Sequence, residues 1–219
     1  MTEDQQRWNR IYQEGETFGV PRMIAKLAES LPPQSRVLDY GCGKGQNAIY
    51  LAKKGLHVIG FDISDKSVAD AVEDARMAGV SERTKFFVSD GLNLGINLEA
   101  SFDGVVCSYV LDYFPPGFPE PIDAETFRRG LNCVQGAVRS GGLVAFSYSP
   151  KHIWPQKENQ KAMELDRQYS ADNFRETFVG WEELLWDVGQ NGEKQTKRWG
   201  TKNNLDVQIL ARKPEEGEK

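Results

Sequence analysis

Apolar and polar positions alternate along the chain with two different periods. Short apolar runs rich in branched side chains, such as "SRVLDY" and "HVIGFDI", are typical of β-strands that are buried on both faces. Between such runs, apolar residues recur every three or four positions, which is the period of an α-helix with one buried face. Ahead of the first strand, Ile24, Leu27 and Leu31 share one helical face, and the prolines of "LPPQS" end that helix. The pattern predicts an amphipathic helix that leads into a buried strand.

The same alternation predicts the elements that follow. Helices are predicted over "NAIYLAKKG", which Gly55 ends, over "DKSVADAVEDARMAG", with Ser64 or Asp65 as its N-cap, and over "DAETFRRGLNCVQGAVR". Strands are predicted over "TKFFVSD", "FDGVVCSYVL" and "GGLVAFSYS", the last after a Gly-Gly turn. Strands that alternate with helices of this length form a parallel sheet covered on both faces. The fold predicted to this point is α/β and doubly wound.

The alternation of predicted strands and helices changes in the last third of the chain. "SADNFRETF" has helical spacing, whereas "WEELLWDVG" and "LDVQILARK" resemble two strands joined by a polar turn. Two strands in succession form an antiparallel hairpin. The prediction is a seven-stranded sheet, mostly parallel, that ends in a C-terminal antiparallel hairpin.

Length and composition favour one soluble domain. The chain has 219 residues, 39% of them hydrophobic and 27% charged, which is enough for a substantial core without disulfides or metal. We expect a single domain over residues 1–213, with an N-terminal helical lid region over 1–34 and a disordered tail over 214–219. Cys42, Cys107 and Cys133 form no CxxC pair, so they are interpreted as reduced thiols, and no metal site is expected.

The net charge of the chain disfavours some classes of binding partner. The net charge is −5, which repels nucleic acid and anionic membranes. The N-terminus "MTEDQQRWNR" has no signal-peptide pattern, and no apolar run is long enough to span a bilayer. The expected location is the cytoplasm, without a nucleic-acid or membrane partner. The oligomeric state stays open.

The turn after the first predicted strand, "RVLDYGCGKGQN", carries the first chemical signal. Gly41, Gly43 and Gly45 let the backbone approach a ligand closely. The dinucleotide fingerprint places its third glycine five positions after the first, where this chain has Gln46. Asp39, two residues before the turn, would repel a diphosphate and attract an ammonium or sulfonium group. The turn therefore favours a cationic ligand over a dinucleotide.

Two more carboxylates follow predicted strands. Asp62 lies 21 residues after Gly41, the position from which an acid accepts hydrogen bonds from ribose hydroxyls. Asp90 ends the third strand and could accept from the exocyclic amine of adenine, while Gly91 and Leu92 offer an N–H group and an apolar edge. Together the three strand ends predict a site for a nucleoside with a cationic tail.

These motifs resemble those of the class I S-adenosylmethionine-dependent methyltransferases, which have a Rossmann-like fold. The segment "VLDYGCGKGQNAIYLAKKGLHVIGFDIS" is similar to the first two motifs of that class, and "VSDGLNL" and "SFDGVVCSYVL" are similar to the third and fourth. The segments "RWNRIYQEG", "GQNAIYLAKKG" and "FVGWEELLWDVGQ", with the final "ILARKP", further resemble the tellurite-resistance and thiopurine-type branch. The resemblance implies an enzyme that takes S-adenosyl-L-methionine as its cofactor.

The resemblance also implies a role for each matching residue. Asp39, Gly41, Gly43 and Gly45 would hold the methionine part of the cofactor. Asp62 would hold the ribose, and Ile63 would flank the adenine. Asp90, Gly91 and Leu92 would face the adenine edge. Ser108 and Tyr109, at the end of the fourth strand, would line the cofactor beside the acceptor.

Positioning is expected to matter more than acid–base chemistry, because the methyl group of a sulfonium is already activated and no His-carboxylate motif is evident. Tyr109, His152 and Arg198 are candidates for positioning the acceptor. Trp8 and Tyr12, one helical turn apart, either pack their helix on the domain or cover the cofactor.

The acceptor is expected to be a small molecule, a thiol or another chalcogen nucleophile. A non-catalytic module that binds the cofactor, a protein or amine methyltransferase and a nicotinamide-dependent oxidoreductase are the alternatives.

Overall fold

The computed structural model describes residues 5–6, 8–10, 20–91, 101–111, 124–148, 174–190, 205–215 and 217. The helices are α1 (Arg22–Ser30), α2 (Gln46–Lys53), α3 (Asp65–Met77) and α4 (Ala124–Ala137). The strands are β1 (Arg36–Tyr40), β2 (His57–Asp62), β3 (Thr84–Val88), β4 (Phe102–Ser108), β5 (Val138–Tyr148), β6 (Glu182–Gln190) and β7 (Leu205–Arg212). Short 3-10 turns cover Ser81–Arg83 and Glu176–Phe178.

The strands form one sheet in the order β3-β2-β1-β4-β5-β7-β6. The first five strands pair in parallel, and β7 is antiparallel to both β5 and β6. The predicted seven-stranded, mostly parallel sheet with an antiparallel hairpin is therefore confirmed. Within the hairpin, β7 takes the inner position because Val207, Ile209 and Leu210 are buried, whereas β6 exposes Glu182 and Glu183 at its edge position.

The sheet separates two apolar clusters. Side chains alternate between the faces of a strand, so Val37 joins one cluster and Leu38 the other. On the first face lie α1 and α2, through residues such as Leu27 and Leu51. On the second face lies α4, through residues such as Leu131. Helices thus cover both faces, as the near-continuous apolar strands predict.

Local signals are confirmed at several element ends. The side chain of Ser64 caps α3 by accepting a hydrogen bond from the backbone N–H of Ser67. Helix α2 ends just before Gly55, which has a φ of +91°. The three cysteines are free thiols, as predicted.

Several boundaries differ from the prediction: β3, β4 and α4 end two, three and two residues before the predicted segments do. The Gly-Gly pair predicted to precede the fifth strand lies inside β5, because Lys213 hydrogen-bonds the backbone of Gly141 and Gly142 and extends the ladder from β7. In "SADNFRETF", residues 174–175 are α-helical and Glu176–Phe178 form a 3-10 turn, whereas residues 170–173 lie outside the described ranges. In the described part of the chain, no helix combines the length and the apolar character needed to cross a bilayer.

Candidate functional site

The order of the strands reverses between β1 and β4. Strands β2 and β3 lie on one side of β1, and β4 and β5 lie on the other. The helices that follow β1 and β4, α2 and α4, lie on opposite faces of the sheet, and a ligand crevice in an open α/β sheet forms at such a point. The strand-end residues singled out in the sequence lie at this edge of the sheet.

The glycine turn follows β1 at this edge. Gly41, Gly43 and Gly45 have φ angles of +70°, +52° and +77°, a left-handed conformation that glycine adopts without strain. A Cβ atom on Gly41 would lie 2.5 Å from a methyl carbon of Val110, beyond the end of β4. Glycine at position 41 therefore lets the β1 turn and the β4 loop approach each other.

The carboxylate of Asp62 holds this turn in place. One of its oxygens accepts a hydrogen bond from the backbone N–H of Gly43 at 2.9 Å, and the other accepts from the N–H of Ser64 at 2.9 Å. The residue is only 7% exposed. Burial raises the pKa of Asp62, and the hydrogen bonds from Ser64 and Gly43 oppose that shift. The acid expected to meet a ribose thus also organises the glycine turn, a role that its sequence position did not predict.

Asp39, on β1, is the most unusual polar group of the site. It is 1% exposed, and its Oδ2 atom has no hydrogen-bond partner in the part of the chain that the structure describes. Burial raises the pKa of Asp39 to about 7, a hydrogen bond from the backbone of Ala48 lowers it, and the charge of Asp62 raises it. A buried acceptor without a partner is costly. A cationic group hydrogen-bonded there would remove that cost.

The turn after β3 forms the far side of the crevice. Asp90 is exposed, and Gly91 is buried with a φ of +74°. A Cβ atom on Gly91 would lie 2.6 Å from the hydroxyl oxygen of Tyr40, so this glycine keeps the turn close to β1. Ile63 is half-buried after β2. Leu92 lies outside the described residues.

The end of β4 is held by β5. Tyr109 has a φ of +55°, which is uncommon for a residue with a side chain. Its backbone N–H donates to the carbonyl of Ser147 at 3.0 Å, and the hydroxyls of Ser108 and Ser147 lie 3.1 Å apart. Ser147 is fully buried. Sequence reasoning missed Ser147, although a serine within the apolar run "LVAFSY" was a signal that it needs a polar partner.

Several predicted residues are not placed by the structure. Tyr12, His152 and Arg198 lie outside the described ranges. Trp8 lies among the N-terminal helical residues and is half-buried. The described ranges contain no group of three or more side chains arranged to hold a metal ion.

Asp62→Ala is expected to lower the free energy of unfolding by about 2 kcal/mol or more, because two buried backbone N–H groups lose their acceptor. The affinity for S-adenosylmethionine should fall at least about tenfold if the same carboxylate also holds the ribose. Urea unfolding and calorimetric titration measure the two effects. Asp74→Ala, an exposed change on α3, is the control. Unchanged stability in Asp62→Ala would show that the carboxylate does not hold the turn.

The chemistry of the site fits S-adenosylmethionine. The buried acceptor of Asp39 has the charge and the free lone pairs for an ammonium group, and the glycine turn leaves backbone groups close to it. Gly43 and Ser64 each donate to a different oxygen of Asp62, and a carboxylate oxygen can accept more than one hydrogen bond, so a ligand hydroxyl can share it.

Comparisons with known proteins agree with this geometry. Residues 37–129 match the model of a methyltransferase domain. The chain is 30% identical over 126 residues to the tRNA 5-carboxymethoxyuridine methyltransferase of Escherichia coli K12, covering 58% of this chain and 44% of that protein. It is 31% identical over 106 residues to the thiopurine S-methyltransferase of Legionella pneumophila, covering 44% and 48%.

Comparison with solved structures shows that the chain shares its fold with known proteins. TehB from Haemophilus influenzae superposes with a TM-score of 0.68 at 18% identity, over 94% of this chain and 67% of that one. The chain spans about half the length, or less, of the two curated relatives. The matched region contains the glycine turn, Asp39, Asp62 and Asp90. The chain is therefore similar to methyltransferases over residues 37–129, the stretch that contains the candidate site, and its sheet has a Rossmann-like fold.

Proposed function

We propose that the protein transfers the methyl group of S-adenosylmethionine to a small-molecule thiol or another chalcogen nucleophile. The observation that carries the proposal is the buried carboxylate of Asp39, beside the glycine turn at the reversal of strand order, one oxygen of which has no hydrogen-bond partner among the described residues. When bound, S-adenosylmethionine supplies a methyl group that its positive sulfur already activates. The protein's task is then to hold and orient the two reactants.

Each strand end has a part in this proposal. Asp39 and the glycine turn bind the methionine part, Asp62 binds the ribose, and the residues after β2 and β3 enclose the adenine. Tyr109, held in its unusual conformation by the backbone of Ser147, faces the acceptor. Orienting two reactants can lower a barrier by up to about 7 to 11 kcal/mol, so no further catalytic group is required in principle.

The acceptor class is argued from the histidines in the part of the chain that the structure describes, none of which lies at this edge. Among the described residues, the only histidine is His57, which begins β2 at the opposite edge of the sheet and lies 2.5 Å from the side-chain oxygen of Gln34. A thiol is partly ionised near neutral pH and strongly nucleophilic, whereas an amine or phenol gains more from a base. The similarity to a thiopurine S-methyltransferase supports the same choice and the thiopurine-type branch.

The charge of the chain supports a small acceptor over a nucleic acid. One relative is named for tRNA, but the net charge of this chain is −5. A protein that binds nucleic acid derives most of its affinity from positive side chains on phosphates. We accordingly propose a cytoplasmic enzyme whose domain covers residues 1–213.

A transfer assay with a labelled methyl group tests the proposal. Thiols, selenite, tellurite, phenols, amines, tRNA and a protein extract are offered separately, and label is expected on a thiol or chalcogen acceptor only. Label on tRNA or protein would overturn the small-molecule proposal. Binding of the cofactor without transfer to any acceptor would indicate a binding module, and tight binding of NAD in its place would overturn the cofactor assignment.

A further inference from the structure

A polar contact joins the N-terminal residues to the start of α3. Residues 5, 6 and 8–10 are helical, and Asn9 lies against residues 64–66. The side-chain oxygen of Asn9 accepts from the hydroxyl of Ser64 at 2.5 Å and from the backbone N–H of Lys66 at 3.3 Å. Its amide nitrogen donates to Asp65 at 2.6 Å. The side chain of Asn9 thus hydrogen-bonds with three successive residues, 64–66, as donor to one and acceptor from two.

Asn9 thereby completes the N-terminal cap of α3. The first backbone N–H groups of a helix have no partner within the helix. The hydroxyl of Ser64 accepts from the N–H of Ser67, and the side-chain oxygen of Asn9 accepts from the N–H of Lys66. A capping acceptor normally comes from the residue that precedes the helix. Here a second acceptor comes from 57 positions away.

The same contact reaches the cofactor site. Ser64, which donates its hydroxyl to Asn9, also donates its backbone N–H to Asp62. The other oxygen of Asp62 accepts from Gly43 in the glycine turn. Asn9, Ser64, Asp62 and Gly43 therefore form one continuous chain of hydrogen bonds from the N-terminal helical residues to the turn.

We propose that Asn9 is a positioning residue that couples the docking of the N-terminal helical residues to cofactor binding. The inference rests on the proposed function, because the ligand of Asp62 is taken to be the ribose of S-adenosylmethionine. Docking through Asn9 fixes Ser64, and Ser64 orients the carboxylate of Asp62. Coupling between two events is reciprocal, so the bound cofactor must also hold the N-terminal residues in place.

Asn9→Ala tests the coupling, and Gln6→Ala is the matched control. Gln6 also carries an amide, lies in the same helical segment and is exposed. We expect Asn9→Ala to raise the Kd for S-adenosylmethionine about five- to twentyfold, because the binding-competent arrangement is populated less. The kcat at saturating cofactor should stay within about twofold, since Asn9 does not touch the reacting atoms. Gln6→Ala should match the wild type in both.

Hydrogen exchange separates coupling from a purely structural role. In the wild type, S-adenosylmethionine should slow amide exchange at residues 8–10, and in Asn9→Ala this protection should disappear while protection at β1 remains. A loss of stability alone would raise exchange throughout the protein and leave the ligand-induced protection at residues 8–10 intact. That second outcome would overturn the proposal.

A double variant that exchanges the hydrogen-bond donor and acceptor between positions 9 and 65 tests whether cofactor binding can be restored. Asn9→Asp keeps the acceptor for Ser64 and Lys66 but opposes a carboxylate to Asp65, so it should weaken cofactor binding. Combining it with Asp65→Asn restores a donor–acceptor pair and should return the Kd to within about threefold of the wild type. An unchanged Kd in Asn9→Ala, or a double variant as weak as Asn9→Asp, overturns the inference. Failure of the wild type itself to bind the cofactor overturns the proposed function instead.

Discussion

Asp39→Asn should bind S-adenosylmethionine at least about 30-fold more weakly than the wild type, while its thermal stability at pH 8 stays equal or rises. The weaker binding follows because the amide cannot compensate the positive charge of the cofactor. The equal or higher stability follows because the wild type must keep a carboxylate that is 1% exposed, with one oxygen that no described residue hydrogen-bonds. Calorimetric titration and thermal unfolding measure the two changes, which have opposite signs.

The pH dependence of stability and of cofactor affinity provides a second test of the role of Asp39. The pKa of Asp39 is raised from 3.8 to about 7 in the folded protein. Between these values the folded state holds a proton that the unfolded state has lost, so this contribution to stability falls as the pH rises from about 4 to about 7 and then levels off. Cofactor affinity should change in the other direction, rising about tenfold per pH unit up to about pH 7, because the cation requires the ionised form.

Asp74→Asn is the matched control for both measurements, since Asp74 is an exposed aspartate on α3. It should keep the affinity and the pH profile of the wild type. Asp39→Asn should lose the part of each profile between about pH 4 and 7. If Asp39→Asn bound the cofactor as tightly as the wild type, the carboxylate would not face the cationic group, and the assignment of the methionine site would be wrong.

The sheet was predictable from the sequence because each buried strand is recognisable from its own run of apolar residues. A strand buried on both faces must be apolar along its length, and β1, β2 and β4 are short apolar runs between amphipathic helices. The strand-end positions of Asp39, Asp62 and Asp90 followed from the same pattern, since a polar residue that ends such a run lies at the edge of the sheet. The place of β7 between β5 and β6 was not predicted, because neighbouring strands in a sheet need not be neighbours in sequence.

The unpredicted parts of the site all depend on contacts between distant residues. Asn9 and Ser64 are 55 positions apart, and the sequence around either residue does not predict their hydrogen bond. The pKa of Asp39 depends on burial from every side, which no sequence window contains. The second role of Asp62, holding the N–H of Gly43, likewise joins two turns 19 positions apart. Local periodicity places residues on elements, and only the packed sheet determines which elements meet.

Gly41→Ala should destabilise the protein by about 2 to 5 kcal/mol, the larger part of it from steric overlap. At a φ of +70°, an L-residue loses roughly 1 to 2 kcal/mol from backbone conformation. The new methyl group would also lie 2.5 Å from a methyl carbon of Val110, so the β1 turn and the β4 loop must move apart. Because the proposed cofactor site adjoins these loops, affinity for S-adenosylmethionine should fall as well. Urea unfolding and calorimetric titration measure the two losses.

Gly79→Ala separates the two causes. Gly79, in the turn after α3, has the same φ of +70°, but a Cβ atom there would have no neighbour within 4 Å. Its loss of stability is therefore conformational, and the excess loss in Gly41→Ala measures the overlap. Adding Val110→Ala removes one partner of the overlap, so the double variant should recover at least about 1 kcal/mol relative to the sum of the single changes. Strict additivity would mean that the two loops do not meet at Gly41, and the close approach that frames the cofactor site would then be absent.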